Sequence, residues 1–127
     1  MSTRQGVCQD FSHAMISGIR GLGLPARYVS GYLKTHARPA EGQELQAAPT
    51  LVGADATHAW VSVWCGADLG WIEFDPTNAL MVGDEHIVLA YGRDFSDVTP
   101  LRGVIMGGGS HTFAVSVSVE LIADDAR

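Results

Sequence analysis

Three residues of catalytic type stand far apart in the sequence: Cys8 in GVCQDFSHAM, His58 in THAWVSVW and Asp75 in GWIEFDPTN. Brought together, a thiol, an imidazole and a carboxylate can carry out acyl transfer through a thioester. The thiol must first become a thiolate, and a helix N-terminus and a neighbouring imidazolium both favour that. An aspartate beside the histidine fixes the ring tautomer and stabilises the imidazolium. The elements that carry these residues decide whether they can meet.

Residues 8–22 read as a helix, with Phe11, Met15, Ile19 and Leu22 forming an apolar stripe at spacings of four, four and three. Cys8 lies three residues before Phe11, in the first turn and on the same face. Gly21, Gly23 and Pro25 end the helix. A strand over 26–33 follows, then a polar connection over 34–56 with scattered Pro and Gly and no period. A connection of that length is a substrate-selecting rim or an ordinary insertion, and the sequence does not separate the two.

Residues 57–65 and 71–75 read as two strands joined by the turn GADLG, hence a hairpin. If Cys65 and Gly70 flank the turn, facing residues have numbers adding to about 135. Asp75 then lies opposite Trp60, one same-face step from His58, and a register shift of one or two places it opposite His58 itself. Either way a carboxylate and an imidazole are neighbours on adjacent strands. Residues 79–85 read as a loop, 86–91 as a strand, 94–102 as irregular, GGG at 107–109 as a loop and 111–122 as a long alternating strand. One helix followed by mostly antiparallel strands is the α+β class.

Composition narrows the partners. The 127 residues suit one domain, and with 46% apolar residues they can bury a core. A formal charge of −6 with no basic cluster argues against nucleic acid and against an anionic membrane surface. No apolar run approaches a membrane span, and MSTRQGVCQDF carries no secretory apolar region. Two cysteines, Cys8 and Cys65, make neither a disulfide scaffold nor a zinc module, so a reducing, cytoplasmic setting is expected. Cys65 lies roughly 23 Å along the strand from His58 at 3.3 Å per residue, too far to pair with a Cys8 that touches His58. With no C-x-x-C either, a thiol redox role is disfavoured.

Other residues have plain readings. Asp10 complements the helix dipole. His13 and His86 have no ligand-like partners in the sequence, so no metal site is expected. Trp60, Trp64 and Trp71 pack or line the cleft, Trp60 sharing strand parity with His58. Arg93–Asp94 reads as a structural pair.

Four blocks in order, GVCQDFSHAM, GLPARYVSGYL, THAWVSVW and GWIEFDPTN, closely resemble the bacterial transglutaminase-like superfamily, which shares the papain-like cysteine-protease architecture. The resemblance continues through HIVLAYGRDFSDVTPLRG and so covers nearly the whole chain. It implies an α+β core with the Cys-bearing helix on an antiparallel sheet. It also implies a catalytic triad with Cys8 as nucleophile, His58 as general base and then acid, and Asp75 as orienter. The substrate class implied is a peptide or protein amide, opened to a thioester that an amine or water resolves. No metal or organic cofactor is needed for that chemistry. The resemblance further gives the expectation that 1–127 is one domain lacking upstream helices and any N-terminal domain. Gln5, three residues before Cys8, is too close to take the oxyanion role of the papain-type glutamine; the Cys8 backbone N–H is the expected donor. The alternative is a non-catalytic relic or assembly module that keeps the triad residues and is completed by a partner or a second copy, as a homo-oligomer.

Overall fold

The first helix begins where Asp10 turns back on the chain. Its Oδ2 accepts the Val7 N–H at 2.9 Å, meeting one of the donors that a helix start leaves unpaired. Helix α1 (Cys8–Gly21) then runs to Gly23, whose φ of +79° ends it. Arg20 in the last turn donates to the Ala26 and Arg93 carbonyls, tying the helix end to the first strand and to the segment after the last one. The computed structural model describes residues 6–34, 51–54, 56–112 and 114–119.

Five strands form one antiparallel sheet: β1 (Ala26–Leu33), β2 (His58–Trp64), β3 (Trp71–Asp75), β4 (Leu80–Met81) and β5 (His86–Gly92), in the order β4-β3-β2-β1-β5. The fold is α+β, with α1 packed on the sheet. Ile16 of α1 joins Ala26 and Tyr28 of β1 and Ala59, Val61 and Val63 of β2 in the core. The β2–β3 hairpin has Val61 opposite Phe74 and Val63 opposite Ile72, the register set by the Cys65–Gly70 turn, where Cys65 N–H donates to the Gly70 carbonyl at 2.8 Å.

The sheet is curled, and the chain itself requires it. β4 and β5 stand at opposite edges, yet residues 82–85 alone connect them. Four strand spacings of about 4.8 Å make roughly 19 Å, while five extended steps reach at most about 18 Å. The sheet therefore bends its edges toward each other and brings the end of β3 near the start of β5. Gly31 in β1 permits this locally. A Cβ there would lie 2.1 Å from the Ile87 carbonyl oxygen and 2.4 Å from the Trp60 ring. The Trp60 indole crosses the strand in that gap, and its N–H donates to Glu73 at 2.7 Å.

Several expectations are corrected. The buried face of α1 is centred on Ser12 and Ile16, with Cys8, Met15 and Ile19 at its margins; Phe11 is 42% and Leu22 80% exposed. Periodicity gave the stripe but not its centre, because the small Ser12 is what fits against the sheet. Among the described residues of 111–122, none is in a strand. Alternation marks only a half-buried pattern, and a strand also needs an edge to pair with. Arg93 pairs with Asp97 at 2.8 Å rather than with Asp94, which caps the short 3-10 turn Phe95–Asp97 through Ser96. Leu80–Met81, read as loop, is the short edge strand β4. Most of the connection at 34–56 lies outside the described residues, as does Gln5.

The turn after β3 holds Ala79 at φ +53°, a left-handed conformation that costs an L-residue about 1–2 kcal/mol. Glycine removes that strain but loses about 0.5–1 kcal/mol to chain entropy. Ala79→Gly is therefore expected to raise stability by about 0.5 kcal/mol, read as a small increase in the urea midpoint at unchanged slope.

Candidate active site

Cys8 is the first residue of α1, His58 the first of β2 and Asp75 the last of β3. All three therefore stand at one end of the layers. His58 and Asp75 are each 1% exposed, and Cys8 is partly buried. His58 Nε2 lies 2.8 Å from Asp75 Oδ2, a diagonal contact across the hairpin that needs no register shift. With Nε2 engaged by the carboxylate, Nδ1 is the nitrogen left for Cys8. Loop residue Gly53 closes over that nitrogen. A Cβ at Gly53 would lie 2.6 Å from Nδ1, and its φ of +100° also favours glycine.

The electrostatics follow from this packing. Burial pushes the Cys8 thiol up, but the neighbouring His58, with the Ala59 and Gln9 backbone amides, holds it below the ordinary thiol value. Burial pulls His58 down, yet Asp75 and Cys8 together raise it to about 9. Burial also opposes the Asp75 charge. His58, His86 and Asn78 overcome this and keep the carboxyl well below the usual carboxylate range. A thiolate–imidazolium pair backed by a carboxylate is the charge arrangement the three residues favour. It forms as pH rises past the lowered thiol value and dissolves as His58 deprotonates near pH 9.

Asp75 accepts more donors than the hairpin alone supplies. Oδ1 takes the Thr77 and Asn78 backbone N–H groups at 3.0 and 3.2 Å. Oδ2 takes His58, the Asn78 side-chain amide at 2.8 Å and His86 Nε2 at 3.0 Å. Asn78 also donates to the Val52 carbonyl and accepts the Val52 N–H, so it links the Gly53 loop to Asp75. The expectation that His86 has no ligand-like partners is thus corrected, since it stands with Asp75 and His58. His13 is a structural residue, its Nε2 accepting the Phe95 N–H at 3.2 Å. Trp60 is fully buried and supports the site from beneath, with ring centroids 6.0 Å from His58 and 5.0 Å from His86.

One donor atom each from His58, Asp75 and His86 lies within 4.8 Å of the others, close enough to consider a metal. The geometry suits hydrogen bonding better. The nitrogens lie 2.8 and 3.0 Å from one oxygen, whereas ligands on a tetrahedral zinc with bonds of 2.0–2.1 Å stand roughly 3.3 Å apart. The Asn78 amide also donates one N–H to that oxygen, where a cation would have to sit. A groove of about 310 Å³ between Met15, Phe74, Pro76 and Leu80 touches Asp75 but neither Cys8 nor His58.

The sequence profile of the transglutaminase-like superfamily matches residues 1–76, a span that contains Cys8, His58 and Asp75. The chain belongs to the transglutaminase-like superfamily. An uncharacterized protein of Mycobacterium tuberculosis is 43% identical over 122 residues, covering 94% of this chain and 36% of that protein. An uncharacterized Mycobacterium leprae protein is 36% identical over 119 residues, covering 94% of this chain and 39% of that one. A Pseudomonas aeruginosa protein-glutamine gamma-glutamyltransferase is 40% identical over 75 residues, 59% of this chain and 10% of its own. This transglutaminase-like chain spans little more than a third of the length of the mycobacterial relatives it matches. No solved structure matches it. Among the described residues, no helix is long and apolar enough to cross a membrane.

Proposed function

We propose that this transglutaminase-like domain performs thiol-dependent acyl chemistry on amide bonds of peptides or proteins, with Cys8 as nucleophile, His58 as base and then acid, and Asp75 as orienter. The observation that carries the reading is the His58 Nε2–Asp75 Oδ2 hydrogen bond of 2.8 Å, which leaves Nδ1 for Cys8 at the start of α1. The Cys8 thiolate attacks the carbonyl carbon of a carboxamide or peptide. The carbon–nitrogen bond then breaks, and His58 gives its proton to the departing ammonia or amine. The thioester is resolved by a second amine or by water, which His58 deprotonates. Transamidation and hydrolysis share every step up to that acceptor. The Pseudomonas relative named a protein-glutamine gamma-glutamyltransferase supports a glutamine carboxamide as the first substrate to try.

The test is incubation with glutamine-bearing peptides, with and without a primary amine, followed by ammonia release and intact mass. The expected result is ammonia together with an acyl adduct on Cys8, both absent after Cys8 is blocked with iodoacetamide. Ammonia release that survives the block would overturn the assignment of Cys8. Absence of both adduct and ammonia across glutamine peptides and simple peptide amides would overturn the amide chemistry.

A further inference from the structure

We propose that His86 is a positioning residue for the candidate triad, holding Asp75 in the orientation from which it directs His58 toward Cys8. The inference rests on the function proposed above and adds a fourth side chain to it.

The Asp75 carboxylate has two kinds of restraint. The Thr77 and Asn78 backbone N–H groups belong to the turn after Asp75 and move with it, and the Asn78 amide ties that turn to the Val52 loop. They fix the carboxylate to its own turn and that loop but not to the rest of the sheet. His58 is the group to be aimed, so it cannot be its own reference. His86 comes from β5, a strand that does not pair with β3, and its Nε2–H reaches the same Oδ2 from outside both hairpin and turn. It is therefore the donor that references the carboxylate to the far edge of the sheet.

His86 is itself built to stay in place. Its side chain is 1% exposed. The edge of its ring meets Trp60 at a centroid distance of 5.0 Å and an interplanar angle of 81°. Trp60 in turn lies across Gly31 and is held by Glu73, which also accepts the Tyr91 hydroxyl at 2.8 Å. His86 Nδ1 is buried without a hydrogen-bond partner among the described residues. An unpaired buried acceptor is unfavourable, so packing alone favours an apolar side chain here. The bond to Asp75 is what the ring contributes in return.

The experiment compares the full chain with His86→Gln and His86→Leu. Glutamine carries an N–H at nearly the same reach as Nε2; leucine fills similar space with no donor. Two readouts are taken: the pH profile of Cys8 alkylation by iodoacetamide, and the downfield His58 imidazole N–H resonance in proton NMR. His86→Leu is expected to slow alkylation at pH 6 about tenfold, to move the acid limb up by about one pH unit, and to broaden the His58 resonance. His86→Gln is expected to stay within about twofold of wild type with the resonance intact. Equal behaviour of the two variants, in either direction, would overturn the proposal. If the leucine variant does not fold, His86→Asn, too short to reach Asp75, replaces it, and failure of both to fold makes His86 a residue of the fold alone and also overturns the proposal. If wild-type Cys8 titrates as an ordinary thiol, the function proposed above fails, and His86 is judged on the resonance: lost in leucine and kept in glutamine supports positioning, unchanged in leucine overturns it.

Discussion

Asp75→Asn is expected to lower thiol-dependent amide turnover by about 10³–10⁴-fold, roughly 4–5.5 kcal/mol of transition-state stabilisation. The two oxygens of Asp75 face different donors. Oδ1 meets backbone N–H groups that cannot turn away, so the single oxygen of asparagine settles there. Its NH₂ then faces His58, His86 and the Asn78 amide, which are all donors to Oδ2 in the native site. His58 can answer only by moving its proton from Nε2 to Nδ1. In the proposed mechanism Nδ1 accepts the Cys8 proton, so the base would be blocked by its own tautomer. Asp75→Ala frees the tautomer but strands several buried donors, and it is expected to cost stability as well. The comparison is kcat/KM for the amide substrate beside the thermal midpoint of each variant. An asparagine variant within tenfold of wild type would mean that Asp75 does not set the His58 tautomer.

Gly31→Ala is expected to destabilise the fold by about 3 kcal/mol or more, at the upper end of what overpacking costs, and to lower Tm by on the order of 10 °C. The new methyl meets the Ile87 carbonyl oxygen at 2.1 Å and the Trp60 ring at 2.4 Å. The ring has some freedom to move, but the carbonyl belongs to the paired strand β5 and has none without breaking the ladder. Relief on the aromatic side by Trp60→Phe is therefore expected to recover little of the loss. The consequence reaches the site, because Trp60 supports both His58 and His86. A variant that melts like wild type would contradict the close crossing of Trp60 over β1.

The two predictions differ in how visible their causes are in the sequence. The His58–Asp75 contact was legible because a hairpin with a short turn fixes its own register, and paired strands place facing residues by arithmetic. Cys8 was legible as the start of a helix, from Asp10 and the apolar spacing behind it. The His86–Asp75 bond was not legible, because it joins β3 to β5 across two intervening strands and depends on the curl of the sheet. One signal was available: the short connection 82–85, once both sheet edges are known, forces that curl. Gly31 was another, since a glycine inside a strand marks a close approach, here by Trp60. The buried face of α1 was half legible. Its centre at Ser12 was hidden because a polar residue stands where the helix packs most closely. The described residues of the alternating run at 111–122 form no strand for the opposite reason, since the pattern is that of a strand but pairing is decided by what lies beside it.

Asn78 and Gly53 link chemistry to access. Asn78 joins the Asp75 turn to the Gly53 loop through paired hydrogen bonds with Val52, and Gly53 lies against His58 Nδ1. Hydrogen bonding of the carboxylate and closure of the loop over the imidazole thus share one side chain.

The central claim is that Cys8 and His58 form a thiolate–imidazolium pair within this domain. The most direct measurement is the pH dependence of Cys8 alkylation by iodoacetamide, followed by intact mass in wild type and His58→Ala, with Cys65 as the internal comparison. Wild-type Cys8 is predicted to react faster than Cys65 below pH 7, its profile to change again near pH 9 as His58 deprotonates, and His58→Ala to remove the low-pH reactivity. A Cys8 that titrates like a free thiol near 8.5, or that is unaffected by His58→Ala, would contradict it.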